Sequence, residues 1–459
     1  MKIVFASAEA APVARVGGLA EAAAGLIRSL RTRSDVELTV VLPDYGGCVL
    51  SNESSKTLKV PDWVGKTTVR SGIADQLGEV VLVRTPTLTR AHPYVDENGE
   101  GWSDNDHRFF GFSAAVAAIV DAVEPEVLHL NDWHTAMTLA FVDVPTVYTI
   151  HTLGYQGRAA IDWIETIDTE RSGAFQRFDE VNPAAGAIDL ADKVIAVSPN
   201  YASEILDPSR GAGLHTLLES KGDDLVGIRN GIDLSLWNPT TDPHIAAAYD
   251  PENLQAKQAS TDNLAKIAGW ESDGEPIVGV VSRLVEQKGM DMLFGLVPYL
   301  DGVGARLFVL GSGDQRLARW GRELAEQHPD RMHFVDAYDL ALAHQIFAGA
   351  DLLAMPSRFE PCRLAQMQAM AYGTIPVVTP VGRLVDTVID ADEHSRTGTG
   401  FVAKTVDALG MLDALHRAAK AWRSKRRRES IQRRGMSIDW SWDSPTDRHV
   451  ELYREVSGR

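Results

Sequence analysis

Two cysteines, Cys48 and Cys362, far apart in 459 residues, leave neither a disulfide framework nor a cysteine metal cluster to build on. A reducing cytoplasm is the expected setting. The chain also lacks any apolar run near the about 18 residues that a membrane span needs. The opening MKIVFASA resembles the start of a signal peptide, but Glu9 interrupts it and no apolar core follows, so a soluble protein is expected. Positive charge is scarce too. Lys and Arg total 45 against 63 Asp and Glu, a formal net charge of −18. That balance argues against nucleic acid as the main partner, while leaving room for a local basic cleft that holds phosphates.

What the chain does have is an apolar content of 44% and a length too great for one core, so two or three domains are expected. Strand-like and helix-like segments alternate: KIVFASAE, then LAEAAAGLIRSLR, then VELTVVLP, with VLHL, TVYTI, KVIAVS and LVGIRNG each ending a further unit. Such alternation marks parallel sheets covered by helices. The pattern breaks at Leu236 to Asn253, rich in Pro, Asp, Asn and Thr, which reads as a linker and a hinge. After a helix over about Leu254 to Gly269, a second series follows: PIVGVVSRL, ARLFVLGSG, MHFVDAY, DLLAMPS and TIPVVTP. Two Rossmann-like α/β domains in tandem are predicted, 1–238 with a returning helix in 440–459, and 239–439. Val406 to Arg434 reads as one long helix carrying the basic run Lys425 to Arg428, Arg433 and Arg434; Pro445 to Val456 reads as a last short one.

The segment MPSRFEPCRL, Met355 to Leu364, sets Glu360 in a strand-to-helix turn at the carboxyl edge of a parallel sheet, where open α/β folds bind ligands. Earlier in the same domain Arg283 and Lys288 share one strand-to-helix loop, a spacing suited to a diphosphate, with ion pairs to Glu286 or Asp291 as the structural alternative. Gly311-Ser312-Gly313-Asp314 adds a phosphate- or sugar-sized glycine loop. In the first domain, Arg15-Val16-Gly17-Gly18 joins strand to helix, and amides there can hold an anion. Asn131-Asp132-Trp133-His134 and His151 close successive strands, so His134 and His151 can face one crevice. Their spacing matches no helical zinc signature, and no metal is expected. With Glu360 and Lys288 both read as facing a cleft rather than a core, truncating either is expected to leave the fold intact.

Taken in order, RVGGL, NDWHT, TIHTLGYQG, AVSPNYASEI, NGID with WNP, SRLVEQKG, LGSGD, PSRFEPCRLAQ and YGTIPVV with GRLVDTV resemble the bacterial glycogen and plant starch synthases nearly end to end. The resemblance implies a GT-B fold, two Rossmann-like domains facing across a deep cleft with the C-terminal helix crossing back. It implies retaining transfer of glucose from ADP- or UDP-glucose to an α-1,4-glucan, with the nucleotide-sugar a substrate and no cofactor or metal required. It assigns Arg283 and Lys288 to the diphosphate, Glu360 to the donor sugar, His151 to the transferred glucose and Tyr338 to the base. Arg15, Gly17, Gly18, Arg363, Leu364, Arg383, Leu384 and Thr387 fall in its donor-binding motifs, and Asp132, Trp133 and His134 on the acceptor side.

Several positions depart from that pattern. Arg15 replaces a lysine, Thr152 an asparagine, Arg363 and Arg383 glycines, and a lysine expected in Val181 to Asp192 has no counterpart. Arginines in place of glycines either fill the site, bind an anion, or turn outward toward Asp386 or Asp390. These departures lead away from glucan toward a small or phosphorylated acceptor. The alternatives are a glycogen synthase elongating α-1,4-glucan, a pseudo-glycosyltransferase forming a C–N bond to an amino sugar, and an inactive sugar-nucleotide binder.

Overall fold

The computed structural model describes residues 1–97, 99–360 and 364–458, which divide into two compact units, 1–231 with 442–459, and 232–441. In the first unit the described residues form a nine-stranded sheet. Its strands run, edge to edge, Leu225–Gly227, Lys193–Ala196, Thr146–Ile150, Val127–Asn131, Lys2–Ala6, Glu37–Pro43, Gly78–Arg84, Thr67–Ala74 and Ser51–Leu58. The first seven are parallel, and the last two turn back as an antiparallel extension. The central strands are buried on both faces, which is why their sequences are runs of Val, Ile and Leu with no alternation. The extension was not foreseen: SNESSKTL is exposed almost throughout, so it carries no apolar alternation.

Chain order reverses between Lys2–Ala6 and Val127–Asn131, making their carboxyl ends a topological switch point where side chains converge. The C-terminal helix, Asp443–Val456, begins two residues earlier than predicted and packs in this unit. Gly25 makes room for it, because a Cβ there would lie 2.0 Å from the indole Nε1 of Trp442. Deeper, His129 links Tyr453 Oη at 2.6 Å to Thr149 Oγ1 at 2.7 Å, and His449 Nδ1 donates to the Pro445 carbonyl at 2.8 Å. Burial lowers the pKa of His129 well below its ordinary value and that of His449 to about 4.

A histidine held neutral in the fold and protonated in the unfolded chain contributes stability above its unfolded pKa of about 6.5, lost as pH falls toward the folded value. Wild-type protein should therefore lose about 2 kcal/mol more stability than His449→Gln between pH 7 and 5. Urea unfolding at the two pH values checks this, and equal losses would contradict it.

In the second unit a six-stranded parallel sheet runs Met332–Val335, Arg306–Leu310, Ile277–Val281, Leu352–Met355, Ile375–Val378 and Phe401–Val402. Its order reverses between Ile277–Val281 and Leu352–Met355. The predicted long helix is two, Ala408–Arg423 and Lys425–Met436, because Ser424 is extended at φ −86° and ψ 102°. Their basic residues are largely structural: Arg427 pairs with Asp392, while Arg433 and Arg434 donate to the carbonyls of Pro251 and Gly398. The helix predicted from Leu254 opens as a 3-10 turn, Leu254–Lys257, continues as Gln258–Ala268, and stops at Gly269 with φ +75°.

The segment read as a hinge is folded onto this unit. Trp237 stacks on His344 at 4.0 Å, and the buried Asp242 carboxylate takes His344 Nδ1 at 2.6 Å and the Tyr372 hydroxyl at 2.5 Å. Asp242 makes a buried polar anchor there, and the segment is not a free linker. Among the described residues no helix is long and apolar enough to cross a membrane.

Candidate active site

The loop after Ile277–Val281 carries Arg283 and Lys288, and the loop after Leu352–Met355 carries Ser357 and Glu360, so the switch point of the second unit brings them to one place. Lys288 does not reach Glu286 or Asp291. Its Nζ lies 2.8 Å from Oε1 and 2.6 Å from Oε2 of Glu360, and the Ser357 hydroxyl donates to Oε2 at 3.0 Å. Both partners are buried, Glu360 at 2% exposure and Lys288 at 9%. They are therefore not the solvent-facing side chains expected of a simple cleft wall. A buried ion pair left with one member costs several kcal/mol, so truncations at these positions act on the fold as well as on chemistry.

Gly289 explains why the lysine loop comes so close. At φ +64° it sits where a Cβ would lie 1.9 Å from the carbonyl oxygen of Pro356, so any other residue would force the loops apart. Arg283 stays exposed at the rim, free of side-chain hydrogen bonds among the described residues. Tyr338, three residues beyond Met332–Val335, is 76% exposed.

Arg363 lies outside the described residues. Arg383 opens the helix Arg383–Thr387 and its amide donates to the Glu360 carbonyl at 3.1 Å. Its side chain is fully buried, with Nη2 3.4 Å from Met367 Sδ. It does not turn outward to Asp390, whose carboxylate is held by Arg417 at 3.0 Å. Nor is it open to a phosphate arriving from solvent. Leu364 and Leu384 belong to the apolar core, and the Thr387 hydroxyl donates to the Arg383 carbonyl at 3.0 Å.

The switch point of the first unit gathers a second group. Asp132, at φ +54° and ψ 179°, holds a backbone conformation that costs a non-glycine residue about 1–3 kcal/mol. The strained turn aims its buried carboxylate back at the neighbouring strand end, where Oδ1 accepts the amides of His151 at 2.7 Å and Thr152 at 3.3 Å. Burial, opposed by those two amides, raises the Asp132 pKa to about 7. His151 Nε2 lies 2.9 Å from Asn131 Oδ1. Asn131 spends its Nδ2 on the Ala6 carbonyl at 3.0 Å, so the oxygen faces the ring and Nε2 carries the proton. His134 is boxed by Trp133, Phe109 and Tyr94 with ring centroids at 4.3, 4.6 and 5.0 Å. Its pKa falls to about 3, chiefly through burial, with Arg108 next. At neutral pH it is therefore an uncharged imidazole held among aromatic rings. Trp133 in turn needs Gly157, where a Cβ would lie 2.1 Å from Cε3.

The glycine loop does hold an anion, but the anion is the chain's own. Glu9, buried at 3% exposure, accepts the amides of Val16 at 2.6 Å and Gly17 at 3.0 Å through Oε2, and the Tyr94 hydroxyl at 2.5 Å through Oε1. Arg15 points outward and pairs with Glu21 at 2.6 Å, and Gly18 begins the helix Gly18–Arg31. Glu9, Tyr94 and Ser357 went unread as site residues. The signal for Glu9 was its place just past a buried strand; for Ser357 it was the spacing to Glu360. Among the described residues no group of three His, Cys, Asp or Glu is arranged to hold a metal ion.

Comparison with known proteins agrees with this layout. Residues 2–220 match the family model of the starch synthase catalytic domain, and residues 275–420 match that of the group 1 glycosyl transferases. Glycogen synthase of Halorhodospira halophila is 38% identical over 473 residues, covering 99% of each chain. That of Alkalilimnicola ehrlichii is 36% identical, covering 100% of this chain and 99% of its own. The catalytic domain of starch synthase IV from Arabidopsis thaliana, bound to ADP and acarbose, superposes with a TM-score of 0.89 at 29% identity, covering 100% of this chain and 99% of its own. A sucrose-phosphate synthase from Thermosynechococcus elongatus, at TM-score 0.65 and 18% identity, shares the fold.

Proposed function

The chain belongs to the family of bacterial glycogen synthases and plant starch synthases, with their GT-B fold, and from that premise we propose that it elongates α-1,4-glucan from ADP- or UDP-glucose. It is a nucleotide-sugar-dependent glycosyltransferase. The observation that carries the finer reading is the buried Lys288–Glu360 pair at the switch point of the second unit. Breaking the bond between the anomeric carbon and the diphosphate places negative charge on the leaving phosphate and positive charge on the sugar ring. A fixed ammonium meets the first and a fixed carboxylate the second, and both lower the barrier most when held in advance in a dry site. Arg283 is given the outer phosphate, Tyr338 the base, and His151 with Asp132 the transferred sugar and acceptor. The nucleotide-sugar is a substrate, and no step calls on a cofactor. A cytoplasmic location fits a reaction that uses nucleotide-sugars.

The second reading, transfer to a small phosphorylated acceptor, rests on Arg15, Arg363, Arg383 and Thr152 replacing the family's residues. The full burial of Arg383 counts against it as one of the two proposed phosphate grips. A panel of ADP- and UDP-glucose with glycogen, maltooligosaccharides and hexose phosphates, scored for nucleotide release, separates the two. Release that depends on glucan is expected. Release that depends only on a hexose phosphate would overturn the proposal in favour of the second reading.

A further inference from the structure

Lys288 and Glu360 lie 72 residues apart, the lysine closing the single 3-10 turn Glu286–Lys288 and the glutamate in a segment with no helix or strand of its own, so neither sets the position of the other. Something must hold the two in register. Arg358, two residues before Glu360, reaches across to the lysine loop at every level. Its amide donates to the Gln287 carbonyl at 2.9 Å, and its Nη1 to the Glu286 carbonyl at 2.8 Å. Nη1 and Nη2 each donate to one oxygen of Asp291, both at 2.6 Å. Gln287 Nε2 returns a hydrogen bond to the Phe359 carbonyl at 3.2 Å. Lys288 sits between Gln287 and Asp291, so these bonds bracket the lysine on its own loop and the glutamate on the other.

The Arg358–Asp291 pair is partly exposed, with side chains at 34% and 38%, and such pairs contribute little to stability. A planar fork on a carboxylate, anchored on a carbonyl as well, instead fixes direction. Lysine would keep the charge without the fork.

We propose that Arg358 and Asp291 are positioning residues for transfer, acting as a staple that sets Lys288 against Glu360. The inference rests on the reading of those two as the reacting pair. Arg358→Met should lower kcat at least tenfold while changing the calorimetric Kd for ADP less than about threefold, because a loosened Lys288 still finds a phosphate but no longer shares a fixed geometry with the carboxylate. Arg358→Lys should recover only part of the loss. Asp291→Asn combined with Arg358→Met should be no worse than Arg358→Met alone, since each acts through the other.

Melting temperatures for every variant, with assays well below them, separate misfolding from misplacement. If Arg358→Met does not fold, Asp291→Asn, which keeps volume and one acceptor, carries the test and should also lose at least threefold in kcat. Glu360→Gln runs alongside. Should it retain wild-type turnover, the site assignment itself has failed. Should Glu360→Gln be inactive while folded Arg358→Met, or folded Asp291→Asn where that carries the test, turns over within twofold of wild type, the staple alone is refuted.

Discussion

Glu360→Gln should lose roughly a hundred- to thousand-fold in turnover, the cost of removing one preorganised charge from a dry site, about 3–4 kcal/mol. Glutamine keeps the shape, and its one oxygen at the Oε2 position can still accept from the Ser357 hydroxyl and the Lys288 ammonium. What is lost is the charge and the second acceptor, whose place beside the ammonium is taken by an amide NH2. The same substitution should leave ADP binding as tight as in wild type or tighter. In the wild-type structure Lys288 is held by both carboxylate oxygens, and a diphosphate must compete with that hold. Loss of turnover with retained or improved affinity is a signature general destabilisation does not produce. If the variant keeps more than about a tenth of wild-type turnover, a loss under about 1.4 kcal/mol, Glu360 does not have the role given to it.

The second large effect is on stability. Lys288→Ala or Glu360→Ala should each destabilise by about 3–5 kcal/mol, because each strands a buried charge, whereas the double variant Lys288→Met with Glu360→Leu should be more stable than either. Urea unfolding of these variants, with the Lys288→Ala, Glu360→Ala double closing a double-mutant cycle on the two alanine singles, measures this, with a coupling opposite in sign to the single losses. Additive losses would show that the two charges do not depend on one another. Activity measured on the alanine variants alone is therefore ambiguous.

Much of this was legible in the sequence. Buried parallel strands declare themselves as short apolar runs, and a polar residue just past such a run lands at the carboxyl edge, which is how Glu360, Lys288, Asp132 and His151 could be named. The partners of those residues were not legible. Pairing Lys288 with Glu360 needs the strand order of the sheet, which places Ile277–Val281 beside Leu352–Met355 although two strands intervene in sequence. Glu9 was hidden by its neighbours: among small apolar residues it read as an interruption, and its role appears only when the chain folds back to offer the amides of Val16 and Gly17. The break at Ser424 was missed because one serine between two helical patterns carries no strong stop signal. The anchored segment around Asp242 was misread because Pro, Asp and Asn signal turns whether those turns are free or buried.

The most direct test of glucan elongation is the product formed from a defined maltooligosaccharide with ADP- or UDP-glucose, analysed by mass and by digestion with an α-1,4-specific hydrolase. A ladder rising one hexose at a time, fully removed by the hydrolase, is the expected result. An acceptor left unextended by either donor, while glucose passes to a phosphorylated or amine-bearing small molecule, would contradict it.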